Sequence, residues 1–420
     1  MRLLDNILAL MPCGKPQATF MAHLLGRLPW QPDRRNFTGL AAYGGRAARP
    51  HARWFGRPFP FARLAVGTLA AVPPRVSQGL GALLSLDASF VAKSGGKTWG
   101  VGWFWSGMAR AVRRGLEVSL LAAVDVEEGG AYPLCARQSP ATGPARGKTP
   151  DGETAATVGL ALLRKALAAG AGELLGTRWV AVDGGDSSRT FVEGVRALVL
   201  HTVGRLRRDA VLRHCYTGPH ERRPGRRRQC DGRFDPRDPT RLTRTAPDDA
   251  PVVLYHGQLH SKAWQRWLQV VHVLPRGADP QTTRGVLLYS SDTELDPVRL
   301  FHFYRARFQI EFAFRDAKQH LGLQDGRARA QAKLDFHFNV VFAALFWARL
   351  QARLRADGPL GPFSLHQIKQ RNCEAELLKR LAALSPETRH AAHAEARHRR
   401  RPPPRLWPPP SPRKTVPAGP

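Results

Sequence analysis

The chain has 420 residues and a net charge of +31 at pH 7, with 64 lysines and arginines against 33 acids. Such a length is enough for two or three domains with a sizeable core. The charge excludes an acidic or neutral surface and indicates a polyanionic partner, most simply nucleic acid. A general arginine bias of a GC-rich genome explains part of the excess, but it does not explain the scarcity of acids.

The five cysteines argue against a metal or disulfide framework. Their number is odd, and no two of them form a Cys-x-x-Cys pair. No run of 18 or more apolar residues occurs, and the N-terminus lacks the basic start and the cleavage site of a signal peptide. We therefore expect a reduced, cytoplasmic protein with no membrane partner.

The first 80 residues differ in pattern from the rest. Residues 1–28 have helical apolar spacing, and a basic segment with interspersed aromatic residues follows over 34–63. Cations next to aromatic rings suit DNA contacts. A small helical domain with a solvated basic face explains the same pattern, and no clear helix-turn-helix motif decides between the two interpretations.

A group of three strands is predicted next, at 83–93, 98–107 and 116–126, with glycine-rich turns between them. The first strand, LLSLDASFVAK, carries one carboxylate, Asp87, in an apolar setting. A buried carboxylate is costly unless it is paired or bound to a metal. Three such strands are typical of the start of a ribonuclease-H-like fold, although backbone amides at a strand end also suffice to hold Asp87.

The following elements are predicted as linker, helix, strand, helix and strand, at 138–152, 153–174, 178–186, 187–200 and 202–212. Asp183 lies at the C-terminal end of its strand, where ligands gather in open α/β sheets. In this order of elements the strands of Asp87 and Asp183 are neighbours, so both carboxylates can meet at one point. Asp183 is also a turn-forming Asp-Gly, and Asp186 is a rival for the same role.

Residues 215–250 interrupt the pattern with nine arginines, no lysine and no periodicity. We expect an exposed loop, which is either a clamp for the phosphate backbone or a disordered insertion. Three short strand-like runs follow, up to residue 290. Trp264 and Trp267 lie among them, and a place in the core is favoured over stacking on an unpaired base.

The most informative element is a helix predicted over residues 297–321. An aspartate at the N-cap, a proline at the first helical position and a glycine just past the end mark its limits. At about 100° per residue, Tyr304, Arg307, Glu311 and Lys318 fall within an arc of about 60°, flanked by phenylalanines. A carboxylate among aromatic rings and cations suits a metal and a phosphate. Taken alone, the helix is also explained as an amphipathic core helix with one i,i+4 ion pair.

The spacing Tyr-x2-Arg-x3-Glu-x6-Lys resembles the signature of the insertion-sequence-four family of DDE transposases, and the segment LDASFVAKSGGK around Asp87 is similar to the same family. The resemblance extends over roughly residues 80–385. It implies an α/β fold with a ribonuclease-H-like mixed sheet flanked by helices, an N-terminal helical domain and a small β-rich, Arg-rich insertion. In this family an aromatic residue often follows the second aspartate closely, whereas Gly185 and Asp186 stand here.

Six segments are predicted from these patterns and from the resemblance. They are a helical domain that binds DNA ends (1–80), the first part of the catalytic domain (81–214), the Arg-rich loop and β insertion (215–292), the second part of the catalytic domain (293–355), a C-terminal helical segment (356–396) and a disordered basic Pro-rich tail (397–420).

The resemblance implies a bacterial insertion-sequence transposase with a catalytic triad of Asp87, Asp183 and Glu311. Three hard oxygen ligands suit Mg²⁺ or Mn²⁺, and two such ions about 4 Å apart serve an in-line displacement at phosphorus. The same triad would nick DNA with water and then join strands through a 3′-hydroxyl. An inactive DNA-binding descendant of such an enzyme, or a nuclease of the same fold, remains an alternative.

The same resemblance assigns Tyr304, Arg307 and Lys318 to the phosphates of the transposon end. Arg307 has the planar fork for bidentate contact with a phosphate, whereas Lys318 acts as a point charge. The partners implied are double-stranded DNA, both as terminal inverted repeats and as target, and a second copy of the chain in a synaptic complex.

Overall fold

The computed structural model describes residues 2–29, 31, 39–41, 48–71, 81–139, 141, 153–185, 187–219, 227–355 and 363–382. Asp186 and the predicted tail over 397–420 therefore lie outside the described residues. The chain divides into two units at residue 368. None of the described helices combines the length and the apolar character needed to cross a lipid bilayer.

The described strands form one mixed sheet. They are β1 (Ala82–Ala92), β2 (Gly102–Ser106), β3 (Ala111–Asp125), β4 (Gly130–Ser139), β5 (Trp179–Val182), β6 (His201–Arg205), β7 (Leu212–Cys215), β8 (Cys230–Arg233), β9 (Thr243–Thr245), β10 (Val252–Ser261), β11 (Arg266–Pro275) and β12 (Val286–Ser290).

The described helices cover the sheet and build the N-terminal part. They are α1 (Arg2–Ala9), α2 (Lys15–Arg27), α3 (Ala48–Trp54), α4 (Phe61–Ala71), α5 (Ala155–Leu167), α6 (Ala171–Leu175), α7 (Arg189–Ala197), α8 (Pro297–Arg307), α9 (Gln309–His320), α10 (Gln331–Leu354) and α11 (Leu365–Ala382).

One half of the sheet has the ribonuclease-H-like order β4-β3-β1-β5-β6, with β2 on the outer end of β3. Strands β1, β3 and β4 are antiparallel, whereas β1, β5 and β6 are parallel and are linked through helices. Leu83, Leu84 and Val180 are fully buried, as expected for central strands that are covered on both faces. The predicted fold class, a mixed α/β sheet flanked by helices, is confirmed.

The predicted insertion extends this same sheet. Strand β12 pairs antiparallel with β6, and β11, β10, β7 and β8 follow in order. The sheet therefore continues directly from the ribonuclease-H-like half into the insertion. Trp264 is partly buried and packs against Tyr289 with ring centroids 4.8 Å apart, so it lies at the edge of the core. Two short strands, β8 and β9, lie in the segment that was expected to be only a loop.

Strand β4 was not predicted, and the expected linker over 138–152 begins only after it. Its sequence contains Pro133, which lacks a backbone donor and therefore lowers the expectation of a strand. In the structure Pro133 pairs with Ala122 next to a β-bulge, where the register of β3 and β4 shifts. A bulge tolerates a missing donor, so the proline and the strand are compatible.

Two predicted helices are each broken in two. The helix expected over 153–174 ends at Leu167, and Gly170 starts the next one with φ of +94°. The helix expected over 297–321 is interrupted at Phe308, whose N–H bonds to the carbonyl of Arg305 only three residues back. No proline or glycine lies at this tightened turn, so the sequence carries no local signal for it.

The helices of the first 71 residues share one apolar core with α10 and β3. Phe336 of α10, for example, packs against Phe55 and Phe61 with ring centroids 4.8 and 5.3 Å apart. Segment 1–80, predicted as a domain of its own, therefore has no separate core among its described residues. Its role in binding DNA ends stays a prediction.

Two buried polar side chains connect α10 to its neighbours, as expected for packing residues. Asn339 accepts a hydrogen bond from the N–H of Ala136 at 2.9 Å and donates to the carbonyl of Ala136 at 2.8 Å. The Nε2 of His337 lies 3.3 Å from the carbonyl of Leu323, in the turn after α9. These contacts fix β4 and the end of α9 against the same helix.

Replacing Asn339 by Ala should lower stability markedly, because the N–H and carbonyl of Ala136 would stay buried without partners. About 1–3 kcal/mol is expected for each group left unpaired. Urea denaturation measures the effect, with Asn6→Ala at an exposed position as the matched control. An Asn339→Ala midpoint equal to that of the control would contradict the assignment.

Stability should also fall in mild acid because of His337. Burial lowers the pKa of His337 from 6.5 to about 4. Between these values the unfolded chain binds the proton and the folded chain does not. The contribution is therefore complete above pH 6.5 and falls by up to about 1.4 kcal/mol per pH unit as the pH drops toward 4. Denaturation at pH 5 and pH 7 should show a smaller difference for His337→Gln than for the parent or for His366→Gln, and an equal difference would refute the prediction.

Candidate active site

Two carboxylates lie side by side where the parallel pairing of β1 and β5 ends. Asp87 is in the middle of β1, and Asp183 follows the last residue of β5. Leu86 pairs with Val182 in register, which places Asp87 and Asp183 at neighbouring positions of the two strands. Strand β5 ends here because a Gly-Gly turn follows, and the Ser187 hydroxyl donates to the carbonyl of Asp183 at 3.1 Å.

The third carboxylate and a guanidinium come from the two halves of the broken helix. Arg307 is the last residue of α8, and Glu311 lies in the first turn of α9. Nη1 of Arg307 donates to Asp87 at 3.0 Å, and Nη2 donates to Glu311 at 3.1 Å and lies 4.0 Å from Asp183. One guanidinium therefore lies within 4.0 Å of all three predicted triad residues.

Arg307 is held in an unusual environment for a cation, since the residue is only 8% exposed. Burial alone lowers its pKa, but the nearby carboxylates, first Asp87 and then Asp183, outweigh this effect, so the pKa of Arg307 is raised above its ordinary value. Its Nε is buried without a hydrogen-bond partner among the described residues. The side chain stays charged and keeps one donor unused.

The site is open on one side. The side chains of Asp183 and Glu311 are 52% and 42% exposed, whereas Asp87 lies deeper. Tyr304, one turn before Arg307, donates from its hydroxyl to Asp183 at 3.4 Å. Burial raises the pKa of Tyr304, so the phenol keeps its proton and acts as a donor. A substrate can thus approach the site beside Asp183.

Lys318 lies one step further along the same face. Its Nζ donates to the hydroxyl of Ser89 at 2.8 Å, two residues after Asp87 on β1. Burial lowers the pKa of Lys318 below its ordinary value. The structure thus brings Asp87, Asp183 and Glu311 together with Tyr304, Arg307 and Lys318 at one place on the sheet. Their roles in catalysis and DNA binding stay predictions.

Sequence reasoning missed Arg205, the last residue of β6 and therefore a neighbour of Asp183 at the edge of the sheet. Arg205 lines a cleft of about 440 Å³ together with Gly184, Ser187 and Lys262. No hydrogen bond or ion pair of its side chain occurs in the described part of the chain. The rule that ligands gather at the C-terminal ends of parallel strands, which led to Asp183, would also have found Arg205.

The donor set fits a divalent cation in its chemistry. Three carboxylates that converge on one positive group are hard oxygen ligands of the type that Mg²⁺ and Mn²⁺ prefer. Among the described residues, no three acidic, histidine or cysteine side chains stand close enough to hold an ion as they are. Arg307 lies between the three carboxylates, and its guanidinium supplies the positive charge that balances them.

Comparison with known proteins identifies the family of the chain. A family model described as "DDE superfamily endonuclease" matches residues 32–270, more than half of the chain. The match includes Asp87 and Asp183 and ends before Glu311. No curated protein matches the chain. The chain is similar to the piggyBac transposase in a cryo-EM structure of its synaptic complex with hairpin DNA, at 12% identity and a TM-score of 0.38, over 76% of this chain and 57% of that one.

Replacing Arg307 by Gln should destabilise the protein when no divalent metal is bound. In EDTA, Arg307→Gln leaves Asp87 and Glu311 without their shared cation, and we expect a loss of about 1–3 kcal/mol. Adding Asp87→Asn should recover part of the loss, because the unpaired carboxylate is then neutral. A double-mutant cycle by urea denaturation measures the coupling. Arg305→Gln, on the exposed side of the same helix, is the control, and strictly additive effects would contradict the shared ion pair.

Proposed function

Because the chain belongs to the DDE superfamily of endonucleases, we propose that it is a DNA transposase of a bacterial insertion sequence. In this proposal it binds terminal inverted repeats, cuts DNA beside them and joins the freed end to a target. The observation that carries the proposal is the convergence of Asp87, Asp183 and Glu311 on Arg307, since three carboxylates at one point are otherwise unfavourable. The Tyr-Arg-Glu-Lys spacing supports assignment to the insertion-sequence-four family.

The three carboxylates would hold Mg²⁺ or Mn²⁺, as two ions by the family pattern of the reaction, in place of their contacts with Arg307. Such ions lower the pKa of an attacking water or 3′-hydroxyl and neutralise charge on the leaving oxygen. Asp87 is the deepest of the three carboxylates, and Asp183 and Glu311 lie nearer to solvent. The phosphate would therefore enter from the side of Asp183.

Arg307 is suited to exchange partners in this reaction. Its fork now faces the carboxylates, and a phosphate offers the same paired oxygens. Tyr304 can donate a hydrogen bond to a phosphate from the side of Asp183, and Lys318 adds a point charge next to β1. Arg205 would add a fourth contact at the open edge. No covalent link between protein and DNA is needed.

The other partners follow from the reaction class. Cutting and joining two ends requires that two copies of the chain meet on DNA, so we propose a dimer in the synaptic complex. The net charge of +31 favours double-stranded DNA, both as the repeats and as the target, and predicts steep salt dependence of binding. The cytoplasm is the proposed compartment.

A cleavage and joining assay tests the proposal. The purified chain is incubated with labelled DNA carrying the inverted repeats that flank its gene and with a plasmid target, in Mg²⁺, Mn²⁺ or EDTA. We expect joined products only with metal. Asp87→Asn, Asp183→Asn and Glu311→Gln should each lower the rate at least about 1,000-fold while DNA binding is kept, because each removes a ligand charge from the site.

The three outcomes separate three functions. Joined products that vanish in all three variants support the transposase. Metal-dependent cutting without joining or end preference would instead assign a nuclease of the same fold. Tight binding with no cutting in any divalent metal would assign an inactive descendant. Glu128→Gln, an acid whose partner Arg353 lies on α10, is the control for a change of charge outside the site.

A further inference from the structure

The hairpin of β2 and β3, residues 102–115, exposes two large aromatic side chains. Trp103 and Trp105 are 50% and 61% exposed, and Val112 and Met108 beside them are also exposed. Phe104, between the two tryptophans, is buried on the opposite face. The hairpin is therefore anchored by Phe104, and the tryptophans contribute little to holding it. Two tryptophans on one strand face have much apolar surface that a partner would cover.

This aromatic face continues the face of the sheet that carries Asp87. Trp103 stands opposite Arg114, and Trp105 stands opposite Val112. Side chains alternate along a strand, so Arg114 lies on the same face as Leu120, which is the partner of Asp87. Ser89, which binds Lys318, lies between them on this face. The exposed tryptophans and the carboxylates thus lie on the same face of the sheet, and between them α9 covers the fully buried Leu116, Val118 and Leu120 of β3.

The distance between these two places along the sheet face matches a short length of DNA. Arg114 and Leu120 are six positions apart on β3, which corresponds to about 20 Å at the rise of a strand. A duplex with about 3.4 Å per base pair covers this distance with about six base pairs. DNA with a phosphate at the carboxylates would therefore extend to the hairpin.

Charge determines what kind of partner fits. Residues 88–116 contain five cations and no acid: Lys93, Lys97, Arg110, Arg113 and Arg114. A second copy of the chain that met the hairpin face to face would bring five positive charges against five others, which opposes association. A polyanion gains from those that are exposed, Lys97, Arg110, Arg113 and Arg114, whereas Lys93 is partly buried and donates to the carbonyl of Gly326. Aromatic rings interleaved with cations suit bases together with phosphates.

We propose that the β2–β3 hairpin binds DNA about six nucleotides from the reacting phosphate, with Trp103 and Trp105 stacking on unpaired or unstacked bases and Arg114 contacting a phosphate. This inference rests on the proposed function only in taking DNA as the partner. It assigns a second DNA contact that is outside the Tyr-Arg-Glu-Lys stripe. Its specificity is for accessible bases and not for sequence, since every base has a ring face to stack on.

Binding is measured on the full chain in EDTA, so that no cleavage occurs, by fluorescence anisotropy with two labelled DNAs. One is a blunt duplex, and the other is the same duplex with a single-stranded tail. The double variant Trp103→Ala/Trp105→Ala should bind the tailed DNA at least about fivefold more weakly than the parent and the blunt duplex with little change. Trp103→Phe/Trp105→Phe should keep most of the affinity. Leu10→Ala and Leu174→Ala, at exposed apolar positions, are the controls.

The cations are tested in the same assay. Arg114→Gln should weaken binding of both DNAs and reduce the slope of log K against log salt by about 1. Arg113→Gln, on the opposite face beside Phe104, and Arg164→Gln, on the exposed face of α5, are the matched controls. Equal slopes for Arg114→Gln and both controls would overturn the assignment of a phosphate contact to the hairpin.

Three results would overturn the proposal itself. The first is a Trp103→Ala/Trp105→Ala variant that binds tailed DNA as tightly as the parent. The second is that this variant is a monomer in light scattering where the parent is a dimer, while its DNA affinity is unchanged. The hairpin would then be a contact between copies of the chain. The third is that the parent binds anionic phospholipid vesicles and this variant does not, while its DNA affinity is unchanged. The hairpin would then be a membrane contact.

Failure of this inference and failure of the proposed function give different results. If the parent neither cuts nor joins DNA in Mg²⁺ but the tryptophan variant still binds tailed DNA weakly, the proposed function fails and the hairpin contact stands. If the parent cuts and joins DNA and the variant binds both DNAs like the parent, the hairpin contact fails and the proposed function stands.

Discussion

The ion cluster around Arg307 is the interaction on which the site depends. Three carboxylates at one point repel one another, and a buried guanidinium is costly without counter-ions. Each component therefore needs the other: Arg307 joins Asp87 and Glu311 through its two terminal nitrogens and lies 4.0 Å from Asp183. The cluster holds the acids together while no other cation is present. In the proposed reaction, a metal ion must replace the contacts of Arg307 with these carboxylates.

The fold supplies the components of this cluster from three places. Parallel pairing of β1 and β5 sets Asp87 beside Asp183, and the turn after β5 exposes the second acid. The tightened turn at Phe308 ends one helix at Arg307 and begins the next before Glu311. The insertion continues the sheet past β6, so Arg205 lies between the carboxylates and the inserted strands. The active-site edge is thereby bordered by cations that come from distant parts of the sequence.

Much of this was predictable from the sequence because the relevant signals are local. Apolar runs with turn signals gave the central strands, and helical spacing placed Tyr304, Arg307, Glu311 and Lys318 on one stripe. Strand β4 was missed because Pro133 argues against a strand unless a bulge is known in advance. The break at Phe308 has no proline or glycine to mark it. It depends on tertiary packing, which no local pattern reports.

Contacts between distant segments were the least predictable part. The meeting of Arg307 with Asp87 joins residues 220 positions apart, and the i,i+4 pair with Glu311 was the only part visible in the sequence. The common core of the N-terminal helices and α10 likewise depends on long-range packing. The basic, aromatic composition of the first segment was visible in the sequence, but it does not reveal whether that segment folds on the catalytic core.

In the proposed mechanism, Asp87, Asp183 and Glu311 form a site for divalent cations, and Arg307 occupies the place of these cations in their absence. The most direct test is an anomalous-scattering map from crystals of the protein soaked in Mn²⁺. We expect manganese bound to oxygens of these carboxylates, with the Arg307 guanidinium moved away from Asp87. Manganese bound only elsewhere, with all three contacts of Arg307 unchanged at saturating metal, would contradict it.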